Sequence, residues 1–255
     1  MRQKTDRSFD GIAAKFAHNI YSSTKGKLRQ LVLLRDLAEL EQLQQSCHIL
    51  DVGAGQGQLA LALAAQGHSV HLTDISADML QLAQQQALAQ GAGNVSFAQI
   101  GLAELAATQQ QQYQLVLCHA MLEWLAQPEL AIAQLRQLVA PGGVLSLMFY
   151  NKDAKRFGNI LFGNFDYVAA DFQVKKKVSL NPQHPLAPTD VLHWCQQAGF
   201  RVLAKTGVRC FHDYLRDRNH QQSHFEQLLA LELQYNRIEP YASLGRYQHL
   251  LLQAN

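Results

Sequence analysis

Long apolar runs are missing from this sequence. No segment approaches the roughly 18 uncharged apolar residues that cross a bilayer. The first residues, MRQKTDRSFDG, are charged and do not form the apolar core of a secretory leader. The composition therefore argues against a membrane protein or an exported one, and we expect a cytoplasmic location.

Cysteine is scarce as well. The four cysteines form no CxxC pair, and neither they nor the scattered histidines show the Cys/His spacing of a zinc site. We therefore expect no metal. We interpret the cysteines as buried thiols in a reducing compartment: Cys47, Cys118, Cys195 and Cys210.

Positive charge is nearly absent from the middle of the chain. From Asp36 to Asn151, both included, the only Lys or Arg is Arg136, against nine Asp or Glu. The flanking segments carry 21 Lys or Arg and 11 Asp or Glu. An acidic centre with basic flanks favours an anionic partner at the flanks.

The centre of the chain alternates short apolar runs with segments of helical period. Such alternation predicts an α/β fold whose mostly parallel sheet is covered by helices on both faces. We expect a single domain with a helical N-terminal cap (1–45), a cofactor-binding core (46–150), an insertion after the fifth strand (151–188) and a C-terminal part of the sheet (189–255). Strands are predicted at His48–Val52, Val70–Thr73, Val95–Ile100, Leu115–Cys118, Val144–Phe149, Phe200–Thr206 and Arg246–Leu252.

A glycine-rich turn follows the first predicted strand, in HILDVGAGQG. Its spacing is typical of nucleotide-binding α/β folds, but a dinucleotide fingerprint would place the third glycine at Gln58. Asp51, at the strand end, would repel a phosphate and attract a cation. The motif therefore predicts S-adenosylmethionine, whose ammonium and sulfonium groups are cationic. The residues of this binding turn are Asp51, Gly53, Ala54 and Gly55.

Further candidates follow the next three strands. Asp74 ends the second strand about 20 residues beyond the glycines, where a carboxylate can accept hydrogen bonds from ribose hydroxyls; the alternative is a cap for the following helix. Leu102 and Ala103 are expected to contact adenine, and Glu104 either binds the adenine amino group or is solvated. His119 ends the fourth strand and either faces the ligand cleft or is a core histidine.

Longer segments carry a family resemblance over nearly the whole chain. The run LDVGAGQGQLALALAAQGHSVHLTDISADML resembles class I S-adenosylmethionine-dependent methyltransferases, which have a Rossmann-like fold. Six other segments resemble the bacterial tRNA 5-carboxymethoxyuridine methyltransferases of that superfamily. They are NIYSSTKGKLRQ, HAMLEW, PGGVLSLMFYN, GNFDYV, KTGVRCFHDYLR and EPYASLGRYQH.

This resemblance implies a seven-stranded sheet and methyl transfer from S-adenosylmethionine to the carboxylate of 5-carboxymethoxyuridine at the tRNA wobble position. The implied partner is the tRNA anticodon stem-loop. In one departure, Val52-Gly-Ala-Gly-Gln stands where the relatives have Ala-Gly-Gly-Gly-Glu, which removes a negative charge near the cofactor. By motif, the residues expected to contact the cofactor are Arg29, Gly53, Ala54, Asp74, Leu102, Ala103 and His119.

An acceptor carboxylate must be held in line with the methyl group by cationic or phenolic side chains. The catalytic candidates are Arg209, Tyr150 and Tyr214, and Tyr21, Asn151 and His212 are further candidates. The alternative for Arg209 is an ion pair with Asp213 on the surface.

Basic residues with interleaved aromatic ones suit phosphate neutralisation and stacking on unpaired bases. The alternative is an ordinary solvated face. The basic residues are Lys25, Lys27, Lys152, Lys155, Arg156, Lys175–Lys177, Arg201, Lys205, Arg209, Arg216 and Arg218, and the aromatic ones are Phe162, Phe165, Tyr167 and Phe172.

Three other functions remain open on the sequence alone. They are a small-molecule methyltransferase, for example in quinone biosynthesis, an enzyme that transfers carboxymethyl from carboxy-S-adenosylmethionine, and a non-catalytic RNA-binding module. A small-molecule methyltransferase would not need a basic insertion. An enzyme that uses carboxy-S-adenosylmethionine needs an additional cationic residue facing the substituent on the sulfonium. Turnover of a labelled methyl donor distinguishes the enzymes from a non-catalytic RNA-binding module.

Overall fold

The computed structural model describes residues 8, 10–11, 23–173 and 184–255, which form one seven-stranded sheet with helices on both faces. The strands are β1 (His48–Val52), β2 (Ser69–Asp74), β3 (Val95–Gln99), β4 (Tyr113–His119), β5 (Val139–Tyr150), β6 (Phe200–Val208) and β7 (Tyr247–Ala254). The α-helices are α1 (Thr24–Leu37), α2 (Gln58–Ala64), α3 (Ala77–Ala89), α4 (Leu102–Thr108), α5 (Pro128–Leu138), α6 (Lys152–Leu161), α7 (Phe165–Ala169), α8 (Pro188–Gln197), α9 (His220–Ser223), α10 (Phe225–Tyr235) and α11 (Tyr241–Leu244).

The strands lie in the order β3-β2-β1-β4-β5-β7-β6. Strands β3, β2, β1, β4 and β5 pair in parallel, whereas β7 runs antiparallel to both of its neighbours, β5 and β6. The prediction of a mostly parallel, seven-stranded α/β sheet is confirmed, and each predicted strand overlaps an observed one.

The two faces of the sheet are both buried because successive side chains of a strand point to opposite sides. In β1, Leu50 packs in a cluster that includes Leu135 of α5, whereas its neighbour Ile49 packs in a second cluster that includes Leu28 of α1. All four side chains are inaccessible to solvent. Burial on both faces explains why these strands read as continuous apolar runs.

Strand β5 begins earlier than predicted. The predicted strand starts at Val144, directly after Pro141-Gly142-Gly143. Instead β5 follows α5 directly at Val139, and its register against β4 shifts between Tyr113 and Leu115. Gly142 has a φ of +71°, which a residue without Cβ adopts freely, so the turn residues become an irregular start of the strand.

Among the described residues, no helix is both long and apolar enough to cross a membrane.

Candidate active site

One edge of the sheet collects most of the predicted site residues. The carboxyl ends of β1, β2, β4 and β5 lie there, and β6 ends at the same edge because it is antiparallel to β7, which begins there. Tyr150 of β5 pairs with Tyr247 of β7, which in turn pairs with Val208 of β6. Open α/β sheets bind their ligands in the crevice at this edge.

The glycine turn after β1 has a backbone that requires glycine. Gly53, Gly55 and Gly57 all have positive φ values, between +57° and +67°. A Cβ at Gly53 would lie 2.8 Å from the Sδ of Met121, and one at Gly57 would lie 2.3 Å from a methyl group of Leu72. The sequence motif is therefore a tight turn whose backbone conformation and close packing both require glycine.

Asp74 joins this turn to the next helix. Its Oδ2 accepts a hydrogen bond from the N–H of Gly55 at 2.9 Å, and its Oδ1 accepts one from the N–H of Ser76 at 2.8 Å. Ser76 caps α3 by accepting from the N–H of Met79. Each carboxylate oxygen has a further lone pair, so the capping position leaves Asp74 able to accept ribose hydroxyls as well.

Carboxylates give this end of the site a negative character. Burial and the nearby charge of Asp74 raise the pKa of Asp51 to about 7, and burial also raises the pKa of Asp74. Asp10, which the sequence did not single out, adds a third carboxylate by accepting a hydrogen bond from Ser76 Oγ at 2.6 Å. Asp51 and Asp74 are buried and hard to ionise, so a cationic ligand would stabilise their charged forms, whereas Asp10 is exposed.

The remaining cofactor candidates lie on α1 (Arg29), α4 and β4. Leu102 opens α4 with a buried side chain, while Ala103 and Glu104 beside it are exposed. His119 lies at the end of β4, where burial above all, and also the charge of Arg29, lowers its pKa well below the usual value. The imidazole of His119 is therefore neutral at physiological pH.

The opposite end of the edge is cationic. Arg209 follows β6 with a φ of +64° and pairs with Asp213. The Nε of Arg246 lies 3.7 Å from the same carboxylate, and its guanidinium stacks over the ring of Tyr150 at 4.9 Å. Burial opposes ionisation of Asp213, but the charge of Arg209 and a hydrogen bond from His212 hold its pKa well below the usual range.

The ion pair of Arg209 is mostly buried, not superficial. Only 13% of the Arg209 side chain and 14% of Asp213 are exposed, so the ion pair considered as the alternative for Arg209 is present but does not lie on the surface. The buried Nε of Arg209 has no hydrogen-bond partner among the described residues. A buried donor without a partner is rare in proteins, which makes Arg209 a candidate to bind an anionic group.

Other candidates have structural partners. The hydroxyl of Tyr214 bonds to the carbonyl oxygens of Ala154 and Leu244, at 3.2 and 3.0 Å. Asn151 caps α6 and donates to two carbonyl groups of the segment before β7, and the ring of His212 is bonded to Thr24 and Asp213. Tyr21 and Lys175–Lys177 lie outside the described residues.

Sequence reasoning missed Glu123 and Arg246, although both lie in segments that carried the family resemblance. Glu123 sits in a 3₁₀ turn (Leu122–Trp124) after β4 and is completely buried. In the described part of the chain, neither of its carboxyl oxygens has a hydrogen bond of normal geometry. Burial raises the pKa of Glu123 to about 7, although the charge of Arg29 acts in the opposite direction.

This burial predicts a pH-dependent stability. The pKa of Glu123 rises from 4.5 to about 7 on folding, so its favourable contribution is present below pH 4.5 and is lost as the pH rises through 7. Glu123→Gln should therefore increase the free energy of unfolding relative to wild type at pH 8, by up to about 3 kcal/mol, and by little at pH 5. Urea denaturation between pH 5 and 8 measures this difference.

Glu129→Gln is the matched control because it removes an exposed carboxylate from the first turn of α5. It should leave the pH profile of stability as in wild type. A Glu123→Gln effect that is the same at pH 5 and pH 8 would contradict the assignment.

Two other features of the described residues are not part of the candidate site at the carboxyl-end edge of the sheet. A surface depression with a cavity volume of about 420 Å³ lies at the amino ends of β1, β2 and β3, opposite the crevice. His220 and His224 are one helical turn apart with ring centroids 4.6 Å from each other. No group of three or more metal-ligating side chains is assembled there or elsewhere in the described ranges.

Known proteins that are similar to this chain include methyltransferases. A family profile described as a methyltransferase domain matches residues 50–145. The tRNA 5-carboxymethoxyuridine methyltransferase of Escherichia coli O157:H7 is 46% identical over 96% of this chain and 95% of its own length. A ubiquinone biosynthesis O-methyltransferase of Leptothrix cholodnii is 31% identical over 63% of this chain and 66% of its own length.

A solved structure shows the same fold. The magnesium protoporphyrin IX methyltransferase of Synechocystis PCC 6803, crystallised with bound SAH, superposes with a TM-score of 0.66. The two chains are 17% identical, and the superposition covers 97% of this chain and 96% of the other.

Proposed function

Because this chain belongs to the family of tRNA 5-carboxymethoxyuridine methyltransferases, we propose that it methylates the carboxylate of 5-carboxymethoxyuridine at the tRNA wobble position, with S-adenosylmethionine as methyl donor. The observation that carries the proposal is the extent of the similarity, which covers 96% of the chain at 46% identity. It therefore includes the cationic end of the site as well as the cofactor end. A likeness confined to the core would support only the cofactor.

The residues of the anionic end fit S-adenosylmethionine. The turn at Gly53 has no room for a side chain, and Asp51 and Asp74 are buried carboxylates that a cation would stabilise. The cofactor supplies a methyl group activated by the sulfonium. The residues proposed to hold it are Arg29, Asp51, Gly53, Ala54, Gly55, Asp74, Leu102, Ala103 and His119.

The cationic end suits the acceptor. A free carboxyl group has a pKa near 4, so the acceptor is ionised at neutral pH and needs no general base. Arg209 and Arg246 are proposed to orient it. Burial also raises the pKa of Tyr150, so its phenol stays protonated and is proposed to donate a hydrogen bond to the same carboxylate.

Asp213 has a defined purpose in this arrangement. The charges of carboxylate and sulfonium disappear as the ester forms, so a very strong ion pair with the acceptor would oppose the reaction. Asp213 already neutralises part of the charge of Arg209 and Arg246. The two arginines then align the acceptor without overbinding it, while Tyr214 is proposed to support the site by tying α6 to the segment before β7.

The described part of the insertion offers a surface for unpaired bases next to the acceptor end. We call it the α6–α7 surface: Lys152, Arg156, Phe157, Phe162, Phe165 and Arg218. The side chains of Phe162 and Phe165 are 54% and 64% exposed, and the guanidinium of Arg218 lies 5.6 Å from the Phe162 ring. Exposed rings with adjacent cations are the combination that stacks bases and neutralises phosphates.

The proposed activity is tested with purified protein, S-adenosylmethionine and tRNA from cells that lack this gene. Nucleoside mass spectrometry should show 5-carboxymethoxyuridine replaced by a product heavier by one methylene unit, and mild alkali should restore the free acid. Unchanged wobble nucleosides, with a quinone precursor methylated instead, would refute the proposal.

Removal of the two exposed rings should weaken tRNA binding. Phe162→Ala/Phe165→Ala should raise the KM for tRNA roughly 5- to 100-fold, because stacking contributes about 1–3 kcal/mol per base. The dissociation constant of S-adenosylmethionine should stay unchanged. Leu88→Ala, which removes an exposed apolar side chain from α3, is the control. A double variant with the wild-type KM would place the anticodon loop elsewhere.

A further inference from the structure

A line of buried polar side chains runs from the site through the sheet to α1. The Nε2 of His119 (β4) lies 2.9 Å from the Oγ of Ser146 (β5). The same Oγ lies 2.8 Å from the Nε2 of His249 (β7). The Nδ1 of His249 lies 2.7 Å from the Oδ2 of Asp36 (α1). Ser146, His249 and Asp36 are all at least 99% buried.

The direction of each hydrogen bond follows from the Asp36 end. Burial alone would raise the pKa of Asp36, but hydrogen bonds from His249 and Thr206 and the charge of Arg35 hold it well below the usual range. Asp36 is therefore a carboxylate, which only accepts hydrogen bonds. The Nδ1 of His249 must carry the proton that it shares with Asp36.

The charges around Asp36 favour a neutral His249. The Oδ1 of Asp36 already accepts from Arg35 Nε at 2.7 Å and from Arg237 at 2.8 Å. Arg237 also pairs with Glu39. The two guanidinium groups therefore balance the charge of the two carboxylates. A third positive charge, on the completely buried ring of His249, would have no counterion.

A neutral His249 determines the direction of the two remaining hydrogen bonds, from Ser146 to His249 and from His119 to Ser146. With its proton on Nδ1, its Nε2 accepts a hydrogen bond from Ser146 Oγ–H. Ser146 then has only lone pairs to offer, so His119 must donate through Nε2–H. The Nδ1 of His119 is left with a free lone pair, and among the described residues no group bonds to it.

We propose that Asp36, through His249 and Ser146, holds His119 in the Nε2–H tautomer, so that a neutral imidazole presents its Nδ1 as an acceptor to the cationic cofactor. This inference rests on the proposed cofactor site. An acceptor nitrogen attracts an ammonium or sulfonium group, whereas an N–H at the same place would repel it. Asp36, Ser146 and His249 act as positioning residues, since they reach the cofactor only through His119.

Ser146→Ala tests the proposal because it interrupts the line with the loss of a single hydroxyl. In the wild-type protein, ¹⁵N chemical shifts should show His119 protonated at Nε2 only. In Ser146→Ala, the spectrum should show a mixture of tautomers, and the dissociation constant of S-adenosylmethionine should rise about fivefold to tenfold, as expected for one lost hydrogen bond.

Thr206→Val is the matched control. It removes a buried hydroxyl that also bonds to Asp36 but lies off the line to His119. It should leave the His119 tautomer and the cofactor affinity as in wild type, even where the melting temperature falls. Both readouts use the full chain and cofactor without tRNA, so they stand or fall separately from the proposed acceptor.

Two results would overturn the proposal. One is a wild-type His119 protonated at Nδ1. The other is a folded Ser146→Ala protein whose tautomer and cofactor affinity equal those of wild type, which would show that the buried line only stabilises the fold.

Discussion

Arg209→Ala should lower kcat on tRNA bearing the free acid about 100-fold even when tRNA is saturating, because misplacement of the acceptor by about 1 Å costs that much. The effect should fall on kcat, since docking of the RNA depends on other residues. Steady-state kinetics at saturating S-adenosylmethionine measures it. Arg201→Ala, which removes an exposed arginine from the other end of β6, should leave kcat unchanged.

The same substitution leaves the buried carboxylate of Asp213 with weaker partners. Loss of one member of a buried ion pair costs about 3–5 kcal/mol of stability. The double variant Arg209→Ala/Asp213→Asn removes the stranded charge and keeps the test informative in a folded protein. Turnover close to wild type in that double variant would show that Arg209 serves the fold and not the acceptor.

Asp74→Ala should weaken S-adenosylmethionine binding roughly 10- to 150-fold, since two ribose hydroxyls lose a charged acceptor at a cost of about 1.5–3 kcal/mol. The N–H of Gly55 also loses its partner, so the glycine turn becomes looser. Calorimetry on the isolated protein measures the affinity.

Asp78→Ala is the control for Asp74. Asp78 lies in the first turn of the same helix, α3, and accepts a hydrogen bond from the N–H of Gly11. Its loss should leave the affinity within a factor of about two, the size expected for an exposed contact. A folded Asp74→Ala protein with unchanged affinity for S-adenosylmethionine would show that Asp74 only caps the turn before α3.

Local sequence patterns were sufficient for the fold and for the positions of the residues proposed to hold the cofactor. The apolar runs gave the strands because a buried parallel strand needs apolar side chains on both faces. The turn from Gly53 to Gly57 was evident because positive φ values require glycine. Asp74 could be placed at the end of the second strand for a similar reason, since its distance along the chain from the turn is set by one βα unit.

The acceptor end depends on contacts between residues far apart in the chain, which spacing cannot reveal. Arg246 meets Asp213 only because β7 inserts between β5 and β6. The hydroxyl of Tyr214 looked available in the sequence, yet the fold directs it to the carbonyl groups of Ala154 and Leu244. Glu123 gave no signal of burial because a glutamate is usually solvated.

The position of β7 also bears on how the chain folds as the ribosome makes it. Strands β1 to β5 can pair in the order in which they are synthesised, but β6 emerges with no neighbour to join. Its place in the sheet exists only after residues 247–254 have left the exit tunnel and paired with β5. Until then the outer edge of β5 stays open to wrong partners. A ribosome-bound chain stalled before residue 247 would already contain the glycine turn and Asp74, but Arg209 would not yet be fixed at the same edge of the sheet.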